Sequence, residues 1–155
     1  YPEYIRNGNA VDHIEKIARK FCKGQGIDIG GFYGWTLHGA IPINIIDDVL
    51  KYNALNIPDK KDGWDYIFSS HCLEHLEDPI KALEYWTSKI KDGGVLFVYL
   101  PHPDMEYWLP QNNRKHLHSW TPKQMKKILE DIGLINVINS ERDMFWSFSV
   151  VGVKR

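Results

Sequence analysis

Six consecutive apolar residues, Val95-Leu96-Phe97-Val98-Tyr99-Leu100, stand directly behind the turn sequence Lys91-Asp92-Gly93-Gly94, and few architectures can hold such a run. A strand with no alternating polar positions has no face to give to water. Both faces must be covered, as they are in parallel sheets flanked by helices. The neighbouring segments meet that demand. Trp64 to Ser70 reads as a second buried strand, closed by the small pair Ser69-Ser70. Between the two strands, Pro79 to about Ile90 reads as a helix. Asp78 is placed to cap it, and Pro79 suits the first helical position because the N–H it lacks would have had no partner there.

The pattern extends in both directions. Val11, Ile14, Ile17, Ala18 and Phe21 recur at spacings of three and four over Asn9 to Cys22, which predicts an amphipathic helix. Gly24 and Gly26 stop it, and Gly26-Ile27-Asp28-Ile29 forms a short strand running into the turn Gly30-Gly31. Ile41 to Ile46 is a further strand, with Pro42 near its start. Only ten residues, Gly31 to Ala40, separate these two strands, whereas a crossover carrying a full helix commonly needs a dozen or more. The first crossover helix is therefore expected to be abridged, leaving a sheet face for the leading helix or a second subunit to cover. A homodimer is the corresponding expectation. Residues 101–120 show no sustained period and read as a long functional loop or lid. Thr121 then caps a helix ending near Ile132, and Leu134 to Asn139 and Phe145 to Val153 read as an antiparallel hairpin. The fold class is α/β, a mostly parallel open sheet with a C-terminal antiparallel hairpin, in one domain over residues 1–155.

Composition narrows the function classes. A chain of 155 residues with 43% hydrophobic and 25% charged side chains can bury one sizeable core, which excludes the disordered, collagenous and disulfide-scaffold classes. Nineteen basic against twenty acidic residues leave a net charge of -1, so no general attraction to nucleic acid or acidic membrane is expected. No apolar run reaches the ~20 residues of a membrane span, and Tyr1 to Asn9 have no signal-peptide character. Cys22 and Cys72 form no CxxC pair, which together with these features predicts a cytoplasmic location.

Open α/β sheets bind ligands at the carboxyl ends of their strands. Chemistry is therefore expected at Gly30-Gly31, around Asn44 to Asp48, at Ser69 to His75 and at Leu100 to His102. The glycine pair would let a ligand approach bare backbone. However, Gly30-Gly31-Phe32-Tyr33-Gly34 is not the dinucleotide fingerprint GxGxxG, and a plain tight turn accounts for it equally well.

Four segments in order carry a resemblance. They are Gly26-Ile27-Asp28-Ile29-Gly30-Gly31, Asn53-Ala54-Leu55-Asn56-Ile57-Pro58, Trp64 through Leu76, and Lys91-Asp92-Gly93-Gly94. Together they resemble the class I S-adenosylmethionine-dependent methyltransferases, within them the small type 11 and type 23 group, over nearly the whole chain from Gly24 to Lys154. The resemblance implies a Rossmann-like fold and S-adenosylmethionine as cofactor. It places Asp28, Gly30 and Gly31 at the methionine end, Asn44 or Asp47 at the ribose, and Asn53, Ala54 and Leu55 along the adenine. Ser70 and His71 fall beside the sulfonium and the transferred methyl. The chain departs from the family pattern in its missing last glycine, its shortened crossover and the asparagines at acidic positions, which weaken the acceptors offered to the cofactor.

His71-Cys72-Leu73-Glu74-His75 also spells HxxEH, a pattern in which two histidines one helical turn apart bind zinc and the glutamate acts as base. Glu141 would be the third ligand of such a zinc hydrolase. The methyltransferase resemblance explains the same five residues together with the strand before them, so no metal is expected, and Glu74 and His75 are expected to brace the following turn. In the 101–120 segment, His116 and His118 join His71 as candidate bases for a hydroxyl acceptor. The expected activity is methyl transfer to a small-molecule or sugar-like acceptor, with a cofactor-binding scaffold that has lost turnover as the alternative.

Overall fold

The chain was analysed as a computed structural model that describes residues 10–31, 36–44 and 52–155. Its elements are α1 (Ala10–Phe21), β1 (Gly26–Ile29), β2 (Ile41–Ile43), β3 (Trp64–Ser70), α2 (Pro79–Lys89), β4 (Ile90–Pro101), α3 (Pro122–Asp131), β5 (Ile135–Asn139) and β6 (Ser147–Val153). Single 3-10 turns lie at Leu73–His75 and Glu106–Trp108. The six strands form one sheet in the order β2-β1-β3-β4-β6-β5. The first four are parallel, and β6 runs antiparallel to both β4 and β5.

The apolar run in β4 explains this arrangement. Leu96, Val98 and Leu100 point to one face, where they join Ile27, Ile29 and Ile67 beneath Ala82, Leu83 and Trp86 of α2 and Met125 and Leu129 of α3. Phe97 and Tyr99 point to the other, where Tyr66, Phe68 and Val151 meet Val11, Ile14 and Ala18 of α1. No helix lies in the described part of the β1–β2 connection, and α1 covers the face exposed by that shortening. The reason for placing a second subunit there is thereby removed. None of the described helices is long and apolar enough to cross a membrane.

Capping follows sequence chemistry. The Asp78 carboxylate accepts from the Lys81 N–H at 3.0 Å. Thr121 and Gln124 form a reciprocal capping box ahead of α3, the arrangement that satisfies two otherwise orphaned donors.

Three boundaries differ from the sequence expectation. Lys91-Asp92-Gly93-Gly94 does not precede β4 but forms an irregular stretch inside it: Ile90 already pairs with Trp64, and the register shifts before Val95 meets Tyr66. β6 begins at Ser147 rather than Phe145, because the Asp143 carboxylate draws the N–H groups of Phe145 and Ser147 into a turn at 2.8 and 3.0 Å. The second strand ends at Ile43, before Asn44, and Ile45 and Ile46 of its expected continuation lie outside the described residues.

Candidate active site

The glycine turn sits at the carboxyl end of β1. Gly30 has φ +90, a conformation suited to glycine, and its N–H donates to the Ile43 carbonyl at 2.7 Å. A Cβ on Gly30 would stand 2.7 Å from the Cβ of Cys72. The turn therefore touches the chain leaving β3 and brings two of the predicted segments into contact. Beneath it, Asp28 is 1% exposed. Its Oδ2 accepts the Leu37 N–H at 2.8 Å, while Oδ1 has no hydrogen-bond partner. Burial pushes this carboxyl up to about 7, opposed by the Leu37 N–H.

His71 follows β3 with φ +47, an uncommon conformation for a non-glycine residue. Its N–H donates to the Tyr99 carbonyl at 2.8 Å, and its Nε2 lies 2.9 Å from Ser147 Oγ. The Ser147 hydroxyl also reaches the Phe145 carbonyl at 3.3 Å, which ties the imidazole to the start of β6. The Asp143 turn completes the frame, with Oδ2 accepting the Tyr99 hydroxyl at 2.5 Å. The ring packs edge-on to Trp108 at 5.1 Å. Burial, reinforced by His116, His75 and His13, holds His71 far below the usual histidine range, so at neutral pH it is an uncharged imidazole.

Beside His71, Glu74 is fully buried. Neither carboxylate oxygen has a hydrogen-bond partner. Burial pushes its pKa up to about 8, opposed by its own backbone N–H. Three imidazoles surround it: His75 Nε2, His71 Nδ1 and His116 Nε2 lie 3.7, 3.8 and 4.0 Å from Oε1. Burial lowers both His75 and His116.

The side chains of Glu74 and His75 do not brace the turn into α2 as expected; the contacts made here tie the 115–117 segment instead. The Glu74 carbonyl accepts the Leu117 N–H at 2.7 Å, and the His75 ring bonds the Lys115 carbonyl at 2.6 Å. The zinc-protease geometry implied by HxxEH is absent. Leu73–His75 is one 3-10 turn and His71 stands outside it with positive φ, so the two histidines do not share a helical face. Glu141, exposed in the β5–β6 connection, is not among the residues clustered at Glu74.

The 102–120 segment is tied to this corner. His116 Nδ1 bonds the Trp108 carbonyl at 2.8 Å. His118 Nε2 bonds the Leu76 carbonyl at 2.9 Å, and its ring stacks on Trp120. His71 and His116 are thus gathered at Glu74, whereas His118 engages the backbone ahead of α2.

Asn44 directly follows β2, next to the Ile43 carbonyl that receives Gly30, and Asp47 lies outside the described residues. Asn53 closes a tight turn in which its Oδ1 accepts the Leu55 N–H at 2.8 Å. The Ala54 carbonyl accepts the buried Trp86 indole N–H at 2.6 Å, and Leu55 is exposed. Ser70 is buried, with no hydrogen-bond partner for its hydroxyl. Sequence reasoning missed Ser147, Asp143, Tyr99 and Trp108. The one signal was Ser147 at the start of a mostly apolar strand.

A family profile described as "Methyltransferase domain" matches residues 6–138. Comparison with curated proteins finds no match. Among solved structures, a Thermotoga maritima protein described as a SAM-dependent methyltransferase, possible histamine N-methyltransferase, superposes with a TM-score of 0.76 at 15% identity, covering 97% of this chain and 92% of that one. A SAM-dependent methyltransferase from Archaeoglobus fulgidus gives 0.69 at 19% identity, covering 92% and 94%. Phosphoethanolamine N-methyltransferase 2 of Haemonchus contortus, in complex with phosphomonomethylethanolamine and S-adenosylhomocysteine, gives 0.74 at 14% identity, covering 98% of this chain and 56% of that one. At these identities the likeness is one of fold.

Proposed function

Because the chain belongs to the methyltransferase-domain family, we propose that it transfers a methyl group from S-adenosylmethionine to a small-molecule or sugar-like acceptor bound beside His71. The observation that carries this reading is a glycine turn set over an orphaned buried carboxylate oxygen. Gly30 and Gly31 leave the backbone bare, and Asp28 Oδ1 lacks the donor that an amino-acid ammonium would supply. Asn44 or Asp47 would hold the ribose, and Asn53 with Ala54 and Leu55 would line the adenine.

When bound, S-adenosylmethionine supplies an electrophilic methyl on a cationic sulfur and a leaving group that departs neutral. The protein therefore has no anion to stabilise at sulfur, and positioning carries the work. Holding acceptor and methyl in near-attack geometry is worth about 7–11 kcal/mol. Ser70 and His71 occupy the end of β3 where that alignment is needed. His71 serves there uncharged, so it does not repel a neighbouring sulfonium, and its depressed basicity makes it an orienting group first and a proton acceptor second. His116 and His118 fasten the 102–120 segment against this corner, where it can exclude water from the acceptor.

Calorimetry with S-adenosylmethionine and S-adenosylhomocysteine tests the reading. Binding of either at micromolar concentration is expected, followed by product formation over a panel of sugar and small hydroxylated acceptors. No binding at millimolar concentration would reject it, and tight binding with persistent inactivity would favour a scaffold.

A further inference from the structure

Glu74 is fully buried, and both its carboxylate oxygens lack a hydrogen-bond donor. An orphaned carboxylate of this kind is costly unless something positive joins it. The tautomers of its neighbours sharpen the point. His75 Nδ1 lies 2.6 Å from the Lys115 carbonyl and His116 Nδ1 lies 2.8 Å from the Trp108 carbonyl. A carbonyl oxygen only accepts, so each Nδ1 carries the hydrogen. Each Nε2 is left with its lone pair, 3.7 and 4.0 Å from Glu74 Oε1 respectively. Three electron-rich atoms, two from neighbouring residues and one from a distant segment, thus face one another, all within 4.8 Å. They are too far apart to share a hydrogen bond and too close to be indifferent.

We propose that Glu74, His75 and His116 form a binding site for one divalent d-block cation. Two imidazole nitrogens and one carboxylate oxygen suit Zn²⁺ and its neighbours better than Mg²⁺ or Ca²⁺, which prefer all-oxygen surroundings. A tetrahedral ion with bonds of about 2.0–2.1 Å sets its ligand atoms roughly 3.4 Å apart. The carboxylate oxygen lies 3.7 and 4.0 Å from the two imidazole nitrogens and the whole set lies within 4.8 Å, so the ligand atoms must draw together by up to roughly 1.4 Å, which side-chain rotations can supply. The outer shell is already built: metal-binding histidines characteristically donate their second ring N–H to a backbone carbonyl, which fixes tautomer and ring orientation. His75 is 25% exposed and gives the ion a way in. Three protein ligands leave a coordination position for an oxygen ligand, and His71 Nδ1, 3.8 Å from the same carboxylate oxygen, stands beside it. This is a different site from the zinc hydrolase implied by HxxEH. Glu74 is a ligand rather than a base, and the second imidazole comes from His116.

The test uses the whole chain freed of metal by chelator and titrated with Zn²⁺ by calorimetry, with Mg²⁺ as comparison and no cofactor or acceptor present. One Zn²⁺ per chain at micromolar or lower concentration is expected, with Mg²⁺ at least 100-fold weaker. Co²⁺ should give the visible absorption of a four- or five-coordinate ion. Glu74→Gln and His116→Ala should each weaken Zn²⁺ binding 10-fold or more. His75→Ala, at a partly exposed position, provides the same reading if the buried variants do not fold. His38→Ala, at an exposed histidine, should bind like the native chain. Native protein that takes up no Zn²⁺ below millimolar concentration, or a His75→Ala variant that binds as tightly as native, would overturn the proposal. These outcomes are independent of whether S-adenosylmethionine binds.

Discussion

Replacing Asp28 by Asn would separate what the buried carboxylate costs from what it does. The group is 1% exposed, and burial lifts it from 3.8 to about 7. At about 1.36 kcal/mol per pKa unit, that displacement corresponds to about 4 kcal/mol of folding stability. Because the folded value is raised, this stability is fully present below about pH 4 and is lost as pH rises through about 7. Asn does not titrate, and its oxygen can still accept the Leu37 N–H. Its amide NH2 would replace the orphaned Oδ1 and, left unpaired, costs about 1–3 kcal/mol. The variant should therefore be no more stable than native near pH 4 and about 1–3 kcal/mol more stable above about pH 7.5. Urea unfolding followed by tryptophan fluorescence measures the difference, since shifts in groups shared by both proteins cancel. Cofactor affinity should move the opposite way. The variant should bind S-adenosylmethionine at least about 10-fold more weakly at pH 8, the loss of one charge-assisted hydrogen bond. A stability difference that stays flat from about pH 4.5 to about 8.5 would refute the burial argument. Unchanged affinity would refute the assignment of Asp28 to the ammonium.

Gly30→Ala should cost about 2 kcal/mol or more in urea unfolding, since φ is +90 and the new Cβ meets Cys72 at 2.7 Å; a loss near zero would show that the turn is not held in this conformation. Trp86→Phe should cost about 1–3 kcal/mol, because it strands the buried Ala54 carbonyl, and should weaken cofactor binding by loosening the 53–57 segment. Equal stability would show that water replaces the indole. His71→Ala should lower kcat by about 10²-fold while leaving the affinity for S-adenosylmethionine within a few-fold. Full turnover would remove His71 from the site.

The sheet was legible because its signals are local. An unbroken apolar run such as Val95–Leu100 can be satisfied only by cover on both sides, and Asp78-Pro79 and Thr121-Pro122 announce their helices by capping chemistry alone. All six strands and all three helices described here follow from such patterns. Boundaries failed where a distant group intervened. The start of β6 is set by the Asp143 carboxylate, and the start of β4 by pairing between Ile90 and Trp64, neither of which leaves a trace in the neighbouring residues. The site was legible only in outline. Spacing identified His71, Glu74 and His75 as a group, placing His71 at a strand end and the other two in the turn behind it, but gave no sign that the three rings and the carboxyl face one another. His116, 41 residues beyond His75, joins them through backbone contacts that no sequence period could reveal.

The distribution of unmet acceptors connects the two halves of the site. Among the described residues, buried side-chain polar atoms without partners belong to Asp28, Ser69, Ser70, Glu74 and Thr87, and all but Thr87 lie on β1, on β3 or in the turn that leaves β3. A structure that satisfies its helix caps and buried indoles so thoroughly does not leave two carboxylates orphaned for want of donors nearby. Leu37 serves one oxygen of Asp28, and His75 and His116 turn their N–H groups away from Glu74 toward carbonyls. Burial raises the Cys72 thiol pKa, and both carboxyls add to the rise. At neutral pH burial keeps Glu74 largely protonated and Asp28 only partly ionised, so each acid takes up its full charge when a cation joins it, the ammonium of S-adenosylmethionine at Asp28 and the metal ion at Glu74. A divalent ion at Glu74 would displace its proton and leave net positive charge at the β3 exit, so metal occupancy should weaken the attraction of the site for the sulfonium and strengthen its hold on an anionic acceptor.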